Sequence, residues 1–166
     1  MVSATFRRLA QKIKLIATDI DGVWTDGSMY YGAEGEIGKR FSTYDGFAVQ
    51  IAREAGLKVA VLTGENSPAV TARMKKLKIE HYFPGEQNKI ERIGELCDKL
   101  GITLDEVAYI GDDLNDLEIL PAVGLSCMAC NSPVLDLFTP HYITTREGGN
   151  GAFRDFVDQI LKAQKK

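Results

Sequence analysis

Cysteine is scarce. Three thiols among 166 residues, an odd number, do not make a disulfide framework and suit a reducing compartment. Cys127 and Cys130 form a lone C-x-x-C without the second pair of a zinc site, so both read as residues of the apolar segment around Leu125 to Ala129. Long apolar runs are missing too: no stretch reaches the roughly 18 residues that a membrane-spanning helix needs. Met1 to Lys12 is amphipathic and lacks the apolar stretch and small-residue cleavage site of a signal peptide, which points to a cytoplasmic protein. Nor is there an excess of positive charge. Twenty Lys+Arg against 23 Asp+Glu leave a net charge of −3, which argues against a nucleic-acid-coating or polybasic membrane protein. Internal repeats and low-complexity segments are absent as well.

What is present is an ordinary globular composition, 45% hydrophobic and 26% charged. A chain of this length buries roughly 70% of its unfolded surface without a metal or disulfide staple. Residues 1–166 are therefore expected to form a single domain.

Short β-branched runs alternate with helical patterns, the signature of an α/β fold with a doubly wound, mostly parallel sheet. Strands are predicted at Ile13 to Thr18, Lys58 to Leu62, His81 to Phe83, Val107 to Ile110, Leu125 to Ala129 and Tyr142 to Thr144. Helices are predicted from Asp45 to Ala55, from Ser67-Pro68 (a serine cap followed by proline at the first helical position) to Leu77, and from Asn88 to Leu100. A short helix follows Asp113, and a helical turn is expected at Ser132-Pro133. The last helix is marked by Phe153, Phe156, Val157, Ile160 and Leu161 at helical spacing, which reads as core. Between the first strand and the first of these helices, Ser28 to Phe41 carries a glycine-rich turn at Gly32 and Gly35 and is predicted to be an inserted β-hairpin. Its Met29, Tyr30, Tyr31 and Phe41 are apolar or aromatic and suit an interface between copies of the chain better than a surface flap.

Four polar features recur where strands end, the place at which open α/β sheets bind ligands. They are Asp19-Ile20-Asp21-Gly22 after the first strand, Thr63-Gly64 after the second, Lys89 at a helix start, and Gly111-Asp112-Asp113-Leu114-Asn115-Asp116 after the Val107 strand. Singly each has an ordinary explanation: an aspartate capping a turn, a turn glycine, a solvated lysine. In this order, each about one β-α unit after the last, five acids, one hydroxyl and one lysine converge on one sheet edge. Like charges packed so closely call for a cation between them.

These motifs resemble the four signature motifs of the haloacid dehalogenase superfamily. More closely, the chain resembles the 3-deoxy-manno-octulosonate 8-phosphate phosphatases and the related nonulosonate 9-phosphate phosphatases, with the likeness running from Ile13 to about Leu161. It includes Asp19 through Gly27, Val107 through Leu114, and Gly148-Gly149-Asn150-Gly151-Ala152-Phe153-Arg154. The resemblance implies a Mg²⁺-dependent phosphatase of sugar-acid phosphates. In it, Asp19 is the nucleophile that forms an aspartyl-phosphate, and Asp21 the acid that protonates the leaving alcohol and then activates water. Asp19, the backbone carbonyl of Asp21, and Asp112 ligate Mg²⁺, with Asp113 and Asp116 around them. Thr63 and neighbouring backbone N–H groups hold phosphoryl oxygens, and Lys89 neutralises charge.

Larger superfamily members carry a cap domain, but the residues between Ser42 and Leu62 are used up by one helix and one strand. The resemblance implies instead a homotetramer built by the hairpin, in which a neighbouring subunit covers the site. Two other readings fit less well. A phosphoacceptor receiver domain would end a middle strand in aspartate where this chain has Thr63. A catalytically idle subunit of a sugar-activating enzyme would lack Asp19, Asp21 or Lys89. For the substrate, Thr63-Gly64 is followed by Glu65 where the octulosonate group usually carries arginine. That feature, with Arg73 and Lys76, resembles the nonulosonate 9-phosphate group. Gly64, Glu65, Arg73 and Lys76 are thus the expected substrate contacts, with Glu65 accepting from sugar hydroxyls and Lys76 holding the carboxylate if its helix points inward.

Overall fold

The computed structural model of the chain describes residues 2–165. Its frame is a six-stranded sheet of β1 (Leu15–Thr18), β4 (Lys58–Thr63), β5 (His81–Pro84), β6 (Val107–Gly111), β7 (Leu125–Met128) and β8 (Tyr142–Ile143), in the order β5-β4-β1-β6-β7-β8. All its neighbouring strands run parallel. A parallel sheet needs cover on both faces, and the central strands are accordingly apolar throughout: every residue of β1 and β6 is buried.

On one face, Ile16, Val59, Val61, Ala108, Ile110 and Cys127 pack against α1 (Ala4–Ala10), α2 (Thr43–Glu54), α3 (Pro68–Lys76) and α5 (Ala152–Gln164). On the other, Leu15, Ala17, Ala60, Leu62 and Tyr109 meet Ile93, Leu96 and Cys97 of α4 (Lys89–Leu100). The expected doubly wound sheet is therefore present, and the described residues insert no cap domain in it. No described helix is long and apolar enough to cross a membrane.

Capping sets the helix starts. The hydroxyl of Ser42 accepts from Tyr44 N–H, so α2 begins two residues before Asp45 and buries that aspartate. Ser67 caps α3 as expected, accepting from Val70 N–H. The amphipathic N-terminal segment is a short helix that Ser3 caps, so β1 starts at Leu15 rather than Ile13. The segment after Asp113 is a single 3₁₀ turn, Leu114–Asp116. Ser132-Pro133 forms turns and no helix: the Ser132 hydroxyl donates to the Asp112 carbonyl and accepts from Val134 N–H. The periodic residues of α5 are core, with Phe153, Phe156, Val157 and Ile160 fully buried.

The inserted hairpin is a separate antiparallel pair, β2 (Tyr30–Gly32) and β3 (Gly35–Gly38). Tyr30, Tyr31 and Ile37 are 54%, 66% and 74% exposed, which leaves an apolar, largely aromatic surface uncovered by the described residues. Phe41 differs from the expectation. It packs against the main core, with the Arg73 guanidinium over its ring, and is not a free interface residue. The three cysteines are free thiols: Cys127 lies inside β7, and Cys130 sits just beyond its end, partly buried.

Candidate active site

Reversal of strand order on either side of β1 opens a crevice at the carboxyl ends of β1, β4 and β6. A cleft of about 330 Å³ occupies it, lined by Asp19, Asp21, Thr63, Gly64, Glu65 and Asp112 among others. A larger hollow, about 760 Å³, lies at the opposite end of the sheet around Lys12, Lys14 and Thr103. It is at the wrong end of the strands for this fold's chemistry.

Asp19 leaves β1 with its backbone still in the sheet, its N–H donating to the Ile110 carbonyl. Its Oδ1 accepts from Ile20 N–H at 2.7 Å, and its Oδ2 accepts from Lys89 Nζ at 2.7 Å. The loop beyond is locked by apolar packing and by a relay of hydrogen bonds. The Trp24 indole stacks on Phe153 and donates to the Thr18 hydroxyl, which donates to the Asp19 carbonyl.

Lys89 reaches the site from the first turn of α4 and is buried between Asp19 and Asp116, 2.7 Å from each. Burial works against its ammonium, but the two carboxylates outweigh that, and it titrates above an ordinary lysine. Asp116 is saturated. Its Oδ1 accepts from Lys89 and the Tyr109 hydroxyl, and its Oδ2 accepts from the N–H groups of Asp112 and Asp113. A carboxylate offers about four lone-pair sites, so nothing is left for a further ligand.

Asp112 is the reverse case. Its Oδ1 is buried and accepts no hydrogen bond from the described residues. The carboxyl group lies so close over Gly22 that a Cβ there would fall 1.7 Å from Oδ2. Gly22 also has φ +83°, so glycine is required there on both counts. The Gly148-Gly149 segment closes the same loop from behind, since a Cβ on Gly148 would meet the Gly22 carbonyl at 1.9 Å.

Asp19, Asp112 and Asp116 each bring a carboxylate oxygen within 4.8 Å of the others. Burial first and the Asp116 charge second push Asp19 up to about 7, with Lys89 opposing. Burial first and the Asp19 charge second push Asp112 up to about 8. Two acids held near neutrality by burial and crowding, one with an unpartnered oxygen, form a donor set that fits a hard divalent cation.

Asp21 and Thr63 complete the constellation. Asp21 lines the cleft with its Oδ1 paired to Lys39 and its Oδ2 without a partner. The Thr63 hydroxyl is buried and accepts from Glu65 N–H at 3.4 Å. Asp113 is exposed at the rim and caps the 3₁₀ turn through Leu114 N–H. Gly64 and Glu65 line the cleft, and no ion pair joins Glu65 to Arg73 or Lys76 among the described residues.

Arg73 and Lys76 stand apart from the lining of their own chain's cleft. Arg73 is turned toward the start of α2, where it donates to the Ser42 carbonyl. Lys76 is exposed in the last turn of α3. The condition set for Lys76, a helix that points it inward, is not met within one chain, because the core contacts of α3 run through Val70 and Met74.

Sequence reasoning missed Lys39, Tyr109 and Gln87. Tyr109 was visible as a polar tip within an otherwise apolar strand. Gln87, which donates to the Gly64 carbonyl, precedes Lys89 by two residues. Lys39 gave no local signal.

The sequence profile of the haloacid dehalogenase-like hydrolases matches residues 33–124. The 3-deoxy-D-manno-octulosonate 8-phosphate phosphatase of Escherichia coli K12 is 38% identical over 165 residues, covering 99% of this chain and 88% of that protein. The structure of the Yersinia pestis phosphatase of the same name superposes with TM-score 0.94 at 36% identity, covering 99% of this chain and 89% of that one. That of the Moraxella catarrhalis phosphatase, in complex with a magnesium ion, a phosphate ion and KDO, superposes with TM-score 0.91 at 40% identity, covering 96% and 92%. The chain belongs to the haloacid dehalogenase-like hydrolases and, within them, to the family of 3-deoxy-D-manno-octulosonate 8-phosphate phosphatases, which are phosphoric monoester hydrolases.

Proposed function

We propose that this protein is a cytoplasmic, Mg²⁺-dependent phosphatase that removes the phosphate from a 2-keto-3-deoxy sugar-acid phosphate. The observation that carries the reading is the convergence of Asp19, Asp21, Thr63, Lys89 and Asp112 at the ends of β1, β4 and β6, with Lys89 locked to Asp19. Asp19 is the nucleophile: Ile20 N–H and Lys89 hold both its oxygens, so it is aimed before substrate arrives. Its attack on phosphorus gives an aspartyl-phosphate. Asp21 protonates the leaving alcohol and then takes a proton from the hydrolytic water. The Thr63 hydroxyl and nearby backbone N–H groups hold the phosphoryl oxygens, Lys89 neutralises their charge, and Asp116 keeps Lys89 in place.

Asp19, the Asp21 backbone carbonyl and Asp112 would hold Mg²⁺. When bound, that ion offsets the repulsion between an anionic nucleophile and an anionic ester. The observations that fit it are the unpartnered Asp112 oxygen and the raised titration of Asp19 and Asp112.

Glu65 on the cleft wall is the basis for a nine-carbon nonulosonate 9-phosphate as the preferred substrate, because an acid there accepts from sugar hydroxyls. The names of the relatives favour a second reading, the eight-carbon 8-phosphate. Phosphate release from both esters, with Mg²⁺ and with EDTA, tests the activity and the choice together. Wild type is expected to be silent in EDTA and faster on the nine-carbon ester. Losing a charge-assisted contact costs about 1.5–3 kcal/mol, so Glu65→Arg should shift relative kcat/KM by roughly 10- to 150-fold. A wild type faster on the eight-carbon ester, or a Glu65→Arg variant with unchanged preference, would overturn the nine-carbon choice.

Among the described residues Lys89 is committed to Asp19 and Asp116 and no other lysine or arginine lines the cleft, although the substrate carries a carboxylate as well as a phosphate. We therefore also propose a homotetramer assembled through the exposed hairpin, in which a neighbouring copy supplies that positive charge, exposed Lys76 being the candidate. Replacing both Tyr30 and Tyr31 by Asp should lower the mass seen by light scattering and reduce activity by about tenfold or more. A fully active wild-type monomer would contradict this.

A further inference from the structure

Lys39 follows directly on β3, at the root of the hairpin, yet its side chain has no solvent exposure. Its Nζ lies 2.5 Å from Asp21 Oδ1 and 3.9 Å from Glu36 Oε2. Glu36 is held from the other side by the Ser67 hydroxyl, which also caps α3. The hairpin root is thus tied both to the loop after β1 and to the helix after β4. Taking an ammonium out of water is costly unless its partners are well placed, so this contact is a built feature rather than a passing surface pair. Its consequence for Asp21 is specific. Oδ1 is occupied, while Oδ2 is buried without a hydrogen bond from the described residues, in a residue that lines the cleft.

We propose that Lys39 is a positioning residue for the acid/base carboxyl of Asp21, fixing its rotation so that Oδ2 is the oxygen that carries the proton. The proposal rests on the roles given above to Asp19 and Asp21. In the first half-reaction the Oδ2 proton passes to the bridging ester oxygen as its bond to phosphorus breaks and the Asp19–phosphorus bond forms. In the second, Oδ2 takes a proton from the water whose oxygen attacks phosphorus, and the Asp19–phosphorus bond breaks. Oδ1 remains an acceptor in both states, so the Lys39 contact survives the whole cycle. Because Lys39 belongs to the hairpin root, the attitude of the hairpin sets the position of Nζ. The element with the exposed aromatic surface is thereby coupled to proton transfer.

The test uses the full chain with Mg²⁺ and two esters in single-turnover experiments: 3-deoxy-D-manno-octulosonate 8-phosphate, whose alkoxide needs a proton to leave, and 4-nitrophenyl phosphate, whose phenolate does not. Lys39→Met should slow the first turnover of the sugar ester by roughly 10- to 100-fold, with KM changed less than about threefold. The loss on the nitrophenyl ester should be about tenfold smaller, and Lys39→Arg should restore most of the sugar-ester rate. In an Asp21→Asn background, Lys39→Met should cost less than about threefold more, because its effect passes through a group already removed.

Equal losses on the two esters, or a full additional loss in the Asp21→Asn background, would overturn the proposal. Circular dichroism checks folding; if Lys39→Met does not fold, the same ester ratio is read on Lys39→Gln. A wild type inactive on both esters and on the nine-carbon 9-phosphate, or an Asp19→Asn variant as fast as wild type, would instead overturn the underlying catalytic reading. If the nine-carbon ester is the one turned over, it takes the place of the octulosonate ester in the same comparison. A sound wild type with equal ester losses overturns the Lys39 role alone.

Discussion

Among the described residues, buried carboxylates occur in two regions and behave differently in each. At the strand exits, Asp19 and Asp112 are pushed up to about 7 and about 8 by burial and by one another's neighbours. At the junction of α2 with α5, Asp45 is pushed up to about 6 by burial alone, against the pull of backbone N–H groups at the start of α5. Its Oδ1 accepts from Arg154 N–H and so caps a helix whose own cap residue, Gly151, has no side chain to offer. Asp155 nearby shows the other limit. Burial is outweighed there by donors from Thr145, Gln159 and Tyr142, and the group titrates below an ordinary aspartate. A raised titration therefore does not mark a site by itself. Crowding of like charges together with an oxygen left open does, and among the described residues only the strand-exit cluster has both.

The most damaging way to probe that difference is Asp19→Asn. It removes one of the crowded charges and the nucleophile while keeping the side chain's shape. We expect kcat to fall by at least about a thousandfold. The folded state should melt no lower than wild type in the absence of divalent cations, because repulsion with Asp112 and Asp116 is relieved. Retention of more than a few per cent of kcat, measured by phosphate release, would remove Asp19 from its role. Asp112→Ala should be milder in mechanism but specific to the cation. The Mg²⁺ concentration giving half-maximal activity should rise by about 10- to 100-fold. The rise in Tm that Mg²⁺ gives the wild type, a mass-action effect of binding the folded state, should largely vanish. Identical Mg²⁺ titrations for the two proteins would exclude Asp112 as a ligand.

Sequence patterns carried most of the fold and the sheet-edge chemistry for physical reasons that can be named residue by residue. The apolar runs of β1, β4 and β6 are continuous because a central parallel strand is buried on both faces. The residues that end them, Asp19, Thr63 and Asp112, are brought together by strand order alone. Spacing could not show what long side chains do across the sheet. Lys39 reaches Asp21 from eighteen positions away, and the condition set for Lys76, a helix that points inward, depends on which face α3 buries, and α3 buries Val70 and Met74. Phe41 misled in the same manner: an aromatic at the end of a hairpin reads as exposed until the core it packs on is known. The difference between Asp112 and Asp116 was equally hidden. Both are aspartates of one motif, and only their hydrogen-bond partners separate an open ligand from a saturated brace.

The smallest expected effect comes from the uncrowded region and serves as its control. Asp45 has an ordinary value of 3.8 and a folded-state value raised to about 6. Between those values the folded protein holds a proton that the unfolded chain has released. Its contribution to stability is therefore greatest below about pH 4, declines as pH rises through about 6, and is flat above that. The folded-state shift of about two units sets an upper bound near 3 kcal/mol on the loss, and solvent relaxation reduces it. Asp45→Asn keeps an oxygen to accept from Arg154 N–H but cannot ionise. Urea unfolding measured from pH 4 to pH 8 should show this part of the pH dependence flattened by about 1–2 kcal/mol. Mg²⁺ should leave the difference between variant and wild type unchanged, since Asp45 is not in the cation cluster. An Asp45→Asn protein with the wild-type pH slope would show that α5 supplies donors enough to keep Asp45 ionised, and the two regions would then differ in crowding alone.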